Sequence, residues 1–189
     1  MNNHNGGCTV WFTGLPCSGK TTIAELAAKE LAREGRDVEV LDGDEIRKHF
    51  SAGVGFSKED RANHLKRVAY LCHLLTKHGG VVLASFVSPY RENRDDARQL
   101  VGERFLEIYV DTPLEECIKR DVKGMYKKAL AGEIKQFTGV SDPYEAPPAP
   151  ELVLHADQEP PAVSAGKLLE CLEQRNLIPK REEAWLPRR

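Results

Sequence analysis

The 189-residue chain predicts an α/β fold of the P-loop NTPase type: three layers, a mostly parallel five-stranded sheet between helices, and a helical lid. Three observations carry that expectation. Apolar strand-like runs alternate with segments of helical periodicity along the chain. Val81-Val82-Leu83-Ala84 has no polar interruption, as a strand covered on both faces of a parallel sheet requires. Between one such run and the next helix lies Gly14-Leu15-Pro16-Cys17-Ser18-Gly19-Lys20-Thr21-Thr22, which satisfies G-x-x-x-x-G-K-[ST] without a gap.

Taken in order, Val10-Trp11-Phe12 centres a first strand over about 8 to 13. The helix over about 20 to 34 follows from the spacing of Ile23, Leu26, Ala27 and Leu31, and Gly35 stops it. Val38 to Leu41 is a second strand, closed by Asp42-Gly43-Asp44. An Asp-Gly pair often marks a hairpin, but Glu45 to Phe50 reads as helix. A long helix over 58 to 78 places Leu65, Val68, Cys72 and Leu75 on one face, and Gly79-Gly80 ends it. After the third strand come Phe86 to Arg91, a charged helix to about Val101, and a fourth strand over 105 to 110 that ends at Asp111. Thr112-Pro113-Leu114-Glu115 starts a helix, with proline in its first turn. Residues of about 119 to 145, rich in Lys and Gly and without a clean core pattern, read as a lid. A proline-rich connector, a last strand over 152 to 154 and a closing helix over 163 to 175 complete one domain over 1–189, with a flexible stretch over 1–7 and a basic tail over 180–189.

Composition narrows the function. A net charge of −2 argues against a general nucleic-acid or anionic-membrane binder, so cations for a polyanionic substrate must be concentrated locally. No apolar run approaches the ~18 residues of a membrane span, and nothing resembles a signal peptide. The five cysteines are odd in number and lack any C-x-x-C pair, the usage of a reducing cytoplasm and not of a disulfide framework or zinc site. Cys17, within the glycine loop, reads either as an oxidisable thiol or as a compact filler.

The glycine loop is a phosphate cradle. Inward backbone N–H groups, the Lys20 ammonium and the helix N-terminus answer the charge of a β- and γ-phosphate, and the Thr21 hydroxyl suits a magnesium ion. In doubly wound sheets ligands sit beyond the carboxyl ends of the strands. That rule gathers the loop, Asp42 to Asp44, Phe86 to Arg91 and Asp111 around one pocket. Of Asp42 and Asp44, one holds magnesium through water while the other accepts a proton from an attacking hydroxyl, or Asp44 merely caps the next helix. Arg47, three residues on, faces the same side. Arg61, Arg91 and Arg94 are candidates for anionic groups of the substrate or are solvated surface charges. Lys119, Arg120, Lys123, Lys127 and Lys128 against the single anion Asp121 make residues 119–128 a basic patch, suited either to closing over a nucleotide or to a solvated helix face.

The ordered set GLPCSGKTT, LDGDEIR, GFSKEDR, FVSPYRENR, RDVKGMYKKALAGEI and FTGVSDPYEAPPAPEL resembles adenylyl-sulfate (APS) kinases over nearly the whole stretch from Thr9 to Leu154. The resemblance implies magnesium-dependent transfer of phosphate from ATP to the 3′-hydroxyl of APS, giving ADP and 3′-phosphoadenylyl sulfate in sulfate activation. It implies ATP at Gly14 to Thr22 and Arg120, catalytic roles for Lys20, Asp44 and Ser88, and magnesium at Thr21 and Asp42. Around APS it implies Asp44, Arg47, Phe56, Arg61, His64 or Asn63, Arg67, Val87, Ser88, Arg91, Lys123, Phe137, Thr138, Gly139 and Val140. Phe86 would stack on the adenine, with Phe56 on the opposite face. Ser88 matches the serine described in the family as a phosphoserine intermediate, although a Ser-Pro turn that positions Arg91 explains it equally well. The resemblance further implies a cytoplasmic homodimer, with ATP and APS as small-molecule partners and possible coupling to ATP sulfurylase. The chain departs from the family pattern where His64 stands for Asn, Leu130 for Arg, and Cys17 for a smaller residue. The alternatives are a P-loop kinase for another small hydroxyl substrate and a non-catalytic nucleotide-binding module.

Overall fold

The computed structural model describes residues 6–180. Five strands, β1 (Cys8–Thr13), β2 (Val38–Asp42), β3 (Val81–Ser85), β4 (Phe105–Asp111) and β5 (Leu152–His155), form one sheet in the order β2-β3-β1-β4-β5. Every neighbouring pair is parallel. Seven helices connect and flank them: α1 (Lys20–Arg33), α2 (Gly43–Phe50), α3 (Lys58–Lys77), α4 (Arg91–Val101), α5 (Leu114–Arg120), α6 (Met125–Leu130) and α7 (Pro161–Gln174). This is the layered α/β architecture that the alternating pattern predicts.

Strand alternation divides the core in two. Val10 and Phe12 of β1, with Leu83 and Ile108 beside them, pack under Ile23, Ala27 and Leu31 of α1 and Leu168 and Leu172 of α7. On the opposite face Trp11, Val82 and Ala84 meet Leu65, Val68 and Cys72 of α3 and Ala97 of α4. In register, Val10 lies beside Leu83 on one side and Leu106 on the other, which makes β1 the middle of the sheet. The chain leaves β1 toward β2 and later returns to build β4 on the other flank, so the strand order reverses at β1. The crevice that such a reversal opens lies at its carboxyl end, where the glycine loop begins.

Local chemistry explains where elements start and stop. Helix α2 begins at Gly43, earlier than Glu45, because Oδ1 of Asp42 accepts from the N–H groups of Asp44 at 2.9 Å and Glu45 at 3.4 Å. Gly35 ends α1 in a left-handed conformation at φ 76°, with Arg36 N–H returning to the Leu31 carbonyl at 3.0 Å. The lid has more structure than its composition suggests: α6 lies within it, with Tyr126 fully buried, and both carboxylate oxygens of Asp121 accept from the first turn of α6. Gly6 and Gly7 are tied down by the Arg104 guanidinium, at 2.7 and 3.2 Å from their carbonyls. The rest of the flexible stretch expected over 1–7, and residues 181–189 of the tail, lie outside the described residues.

Leu83 is fully buried on an interior strand. Leu83→Ala is expected to cost about 2–5 kcal/mol of stability. Urea unfolding checks this as a lowered midpoint with an unchanged slope.

Candidate active site

The glycine loop is held in a shape that few residues tolerate. Gly14, Cys17 and Gly19 have φ values of 152°, 62° and 109°. A Cβ on Gly14 would lie 2.6 Å from the Val110 carbonyl oxygen, so glycine is required there by contact as well as by conformation. Cys17 takes the left-handed region at a cost that a glycine would not incur. The Ser18 carbonyl accepts from Thr112 Oγ1 at 3.0 Å and from the Arg120 guanidinium at 3.1 Å, and Arg120 also reaches the Ala156 carbonyl at 2.7 Å. Arg120 therefore braces the loop against the segment after β5. Lys20 Nζ donates to the carbonyls of Gly14 at 3.1 Å and Leu15 at 2.7 Å and to Ser18 Oγ at 3.2 Å. Burial pushes its pKa down to about 8, with Asp42 and Asp44 among the groups that act in the opposite direction.

The two aspartates separate by geometry. Asp42 is the helix cap: Oδ1 serves the start of α2, and Oδ2 accepts from Thr21 Oγ1 at 2.8 Å. The capping role weighed for Asp44 thus falls to Asp42. Thr21 also lies 3.2 Å from Ser85 Oγ, so hydroxyls and a carboxylate meet at the carboxyl ends of β2 and β3. An all-oxygen set of this kind suits magnesium, which keeps waters and takes few protein ligands. Among the described residues no group of three or more His, Cys, Asp or Glu could hold a metal alone. Asp44 is largely exposed and pairs with Lys123 at the base of the lid.

The aromatic residues are placed differently from their sequence reading. Phe86 is 4% exposed and stacks on Trp11 with ring centroids 5.5 Å apart, while His64 lies tilted 5.8 Å away. It belongs to the core in this conformation and presents no open face for a base. Phe56 is 56% exposed, with the Arg47 guanidinium 4.4 Å over its ring. Arg47 also donates to the carbonyls of Val54 and Gly55. His64 Nδ1 lies 2.7 Å from Ser51 Oγ, and burial, reinforced by Arg47 and Arg67, pushes its pKa down to about 4. Asn63 and Arg67 turn away from Phe86 and, with Phe50, Lys66, Tyr70 and Leu100, line a separate groove of about 500 Å³.

The lid rests directly on the loop. Tyr126 donates to the Pro16 carbonyl at 3.1 Å, and Phe137 meets the Tyr126 ring edge-on at 5.0 Å. Gly139, at φ 90°, sits in the left-handed region that favours glycine, and an added Cβ would crowd the Leu15 and Leu114 side chains at 3.1 Å. Val140 lies in the same turn, its N–H donating to the Phe137 carbonyl at 3.0 Å. Arg61 latches this segment to α3: it donates to Thr138 Oγ1 at 2.7 Å and to the Gln136 carbonyl, and it lies 3.3 Å from Asp142. Leu130, where the family pattern has Arg, is exposed at the end of α6.

Of the other candidate arginines, Arg91 is exposed at the first position of α4. Arg94 is 1% exposed, and its three guanidinium nitrogens bind Glu107, the Ser88 carbonyl and the Glu145 carbonyl. That overturns its reading as a ligand for substrate anions: each nitrogen is engaged within the protein and the side chain is closed to solvent. Ser88 is also buried, its Oγ accepting from Trp11 Nε1 at 3.1 Å, and Val87 offers its carbonyl to Thr13 Oγ1 at 2.8 Å. Tyr126, Asp142 and Glu145 carry parts of this architecture that the sequence reading leaves out. Their partners Pro16, Tyr90 and Arg94 lie 51 to 110 residues away along the chain, so spacing holds no trace of them.

A parallel sheet reversing at β1, a phosphate loop at that reversal, and a lid bearing on the loop define a P-loop phosphotransferase. Comparison with known proteins takes the assignment further. The adenylylsulphate kinase family profile matches residues 6–155, and the chain belongs to that family. It is 49% identical over 178 residues to the adenylyl-sulfate kinase of Halothermothrix orenii, covering 94% of this chain and 95% of the relative. It is 54% identical over 154 residues to a probable adenylyl-sulfate kinase of Aeropyrum pernix, covering 80% and 84%. The structure of the Mycobacterium tuberculosis APS kinase in complex with AMPPNP and APS superposes with a TM-score of 0.86 at 43% identity, over 89% of this chain and 98% of that one.

His64 yields a test by pH. Its folded-state pKa lies below the ordinary 6.5, so from pH 6.5 down to about 4 the unfolded chain binds the extra proton and stability falls as pH falls. The loss reaches on the order of 3 kcal/mol by pH 4. Thermal melts of His64→Asn, the residue common in the family, are expected to lose less stability than wild type between pH 6.5 and 4.5, with little difference at pH 8.

Proposed function

We propose that the chain is an ATP:adenylyl-sulfate 3′-phosphotransferase. The observation that carries this reading is the convergence of Lys20, Thr21, Asp42 and Asp44 on one rim under a lid. Oδ2 of Asp42 lies 2.8 Å from the Thr21 hydroxyl, and the charges of Asp42 and Asp44 are felt at Lys20. The family membership, and the likeness to an APS kinase holding both an ATP analogue and APS, support the choice of substrates.

In this reading the glycine loop binds the β- and γ-phosphates, and Lys20 exchanges the carbonyls of Gly14 and Leu15 for phosphate oxygens. A low pKa serves Lys20 here, because an ammonium already short of hydration gains most from an incoming phosphate. Thr21 and Asp42 would hold magnesium, which when bound would neutralise charge on the phosphates being separated. Asp44, exposed on the rim, accepts the proton of the 3′-hydroxyl of APS. Arg47, Phe56 and Arg91 face the acceptor nucleotide. The buried Ser88 hydroxyl serves the turn, and direct attack by the sugar hydroxyl needs no phosphoserine. Phe86 reaches a base only if His64 or Gly43 yields its place against the ring, so Phe56 is the readier stacking surface. The lid keeps water from competing as acceptor. Action as a cytoplasmic homodimer, with coupling to an ATP sulfurylase, belongs to the same proposal. No helix among the described residues is long and apolar enough to cross a membrane.

A coupled ADP-release assay with ATP, magnesium and APS tests the reading. Wild type is expected to turn over only with APS, Lys20→Ala to lose about 10²–10³-fold, and Asp44→Ala about 10²–10⁴-fold. Full turnover by both variants would defeat the assigned roles. ADP release with a sugar acid or nucleoside and none with APS would assign a different acceptor. Binding of both nucleotides without ADP release would mark a non-catalytic module.

A further inference from the structure

The turn after β3 is held in a conformation that its own sequence disfavours. Ser88 has φ 38°, in the left-handed region that non-glycine residues seldom enter. It also precedes Pro89, and a residue before proline is ordinarily driven to extended backbone. Such a conformation persists only where the surroundings over-determine it, and it concentrates where geometry serves function.

The surroundings here converge on a few atoms. Trp11 Nε1 donates to Ser88 Oγ at 3.1 Å, and Thr13 Oγ1 donates to the Val87 carbonyl at 2.8 Å. The Ser88 carbonyl accepts from Arg94 at 2.7 Å. The same guanidinium donates to the Glu145 carbonyl at 2.7 Å, and its charge is met by Glu107 Oε1 at 2.6 Å. Glu145 then binds back through its other polar groups. Its N–H donates to the Pro89 carbonyl at 2.8 Å, and its carboxylate accepts from the Arg91 N–H at 2.7 Å, which caps α4 from outside the helix. Glu145 belongs to the return segment of the lid. Two segments more than fifty residues apart are thus joined by four hydrogen bonds, through one buried arginine and one residue of the return segment.

The position of this joint gives it consequence. It fixes Val87 and Ser88 on one side, the N-terminus of α4 with Arg91 on the next, and the lid's return on the third. An Arg–Glu pair this deep is poor value for stability alone, since desolvating both charges offsets most of their attraction. The fork geometry of guanidinium matters instead, because it addresses two carbonyls and a carboxylate at fixed angles, which an ammonium cannot do. We propose that Arg94 is a positioning residue that, with Glu145, clamps the turn Val87–Tyr90 to the return of the lid, so that the two set acceptor-binding geometry as one unit. The catalytic readout of this inference rests on the kinase reading above; the clamp itself does not.

The test compares wild type with Arg94→Lys, Glu145→Ala and the double variant, each as the full chain. Arg94→Lys keeps a cation beside Glu107 and loses the fork. Glu145→Ala removes the exposed carboxylate that accepts from the Arg91 N–H and keeps the backbone bonds to Arg94 and Pro89, so it keeps the test alive if the buried substitution fails to fold. Both single variants are expected to lower kcat/KM for APS about tenfold while the KM for ATP stays within about twofold. The double variant is expected to lose about as much as one single variant, because both act on the same joint. Hydrogen exchange, read without substrate, is expected to quicken about tenfold at the amides of Val87, Ser88, Tyr90 and Arg91 and of residues 144–146, and to stay unchanged in α1. A lowered melting temperature with unaltered kcat/KM for APS in the folded variants would overturn the proposal, and so would unchanged exchange at both segments. A wild type inert toward APS would instead refute the kinase reading, with exchange still deciding the clamp.

Discussion

An ammonium group taken out of water at the mouth of β1 is the constraint around which this molecule is built. Lys20 is only 7% exposed, and its desolvation is offset by two carbonyls and a hydroxyl from its own loop. Those acceptors lie in position because Gly14 passes against the Val110 carbonyl and because Thr112 and Arg120 hold the Ser18 carbonyl from outside. Each brace reaches back to the sheet: Thr112 follows β4, and the Ala156 carbonyl that anchors Arg120 follows β5. The order of strands thus serves the electrostatics of one side chain.

The same logic extends to the groups that act on the acceptor. They sit on turns, and a turn has no ladder of hydrogen bonds to keep its shape. Here buried arginines do that work. Arg61 ties α3 to the segment of the lid around Thr138, and Arg94 ties the turn after β3 to the lid's return. Charged pairs so placed add little net stability, but they punish any arrangement in which one partner is left behind. The lid is therefore coupled to the rim at two separated points, in addition to the hydrogen bond from Tyr126 to the Pro16 carbonyl and the close approach of Gly139 to the Leu15 side chain.

Much of this was legible in the order of residues. The glycine loop, the alternation of strand and helix and the apolar run of β3 depend on neighbours along the chain, and a one-dimensional pattern records such dependence faithfully. Element boundaries fell within a few residues of expectation. The shift at α2 has a local cause as well, the carboxylate of Asp42 facing the next amides. The family was legible too, because its motifs stand in order at their own spacing.

What escaped was the destination of long polar and aromatic side chains. Arg91 and Arg94 are one helical turn apart and of one chemical kind, yet one faces solvent while the other is buried against Glu107 of β4. Phe86 and Phe56 would serve equally as a flat face for a base, yet Trp11 covers the first and leaves the second open. The sequence by itself determined which backbone could form and what chemistry its loop could hold, since propensity, periodicity and glycine's freedom act over a few residues. Tertiary structure alone decided which cations remained free to meet a ligand. That choice is made by partners far along the chain, as with Glu145, 51 residues from Arg94.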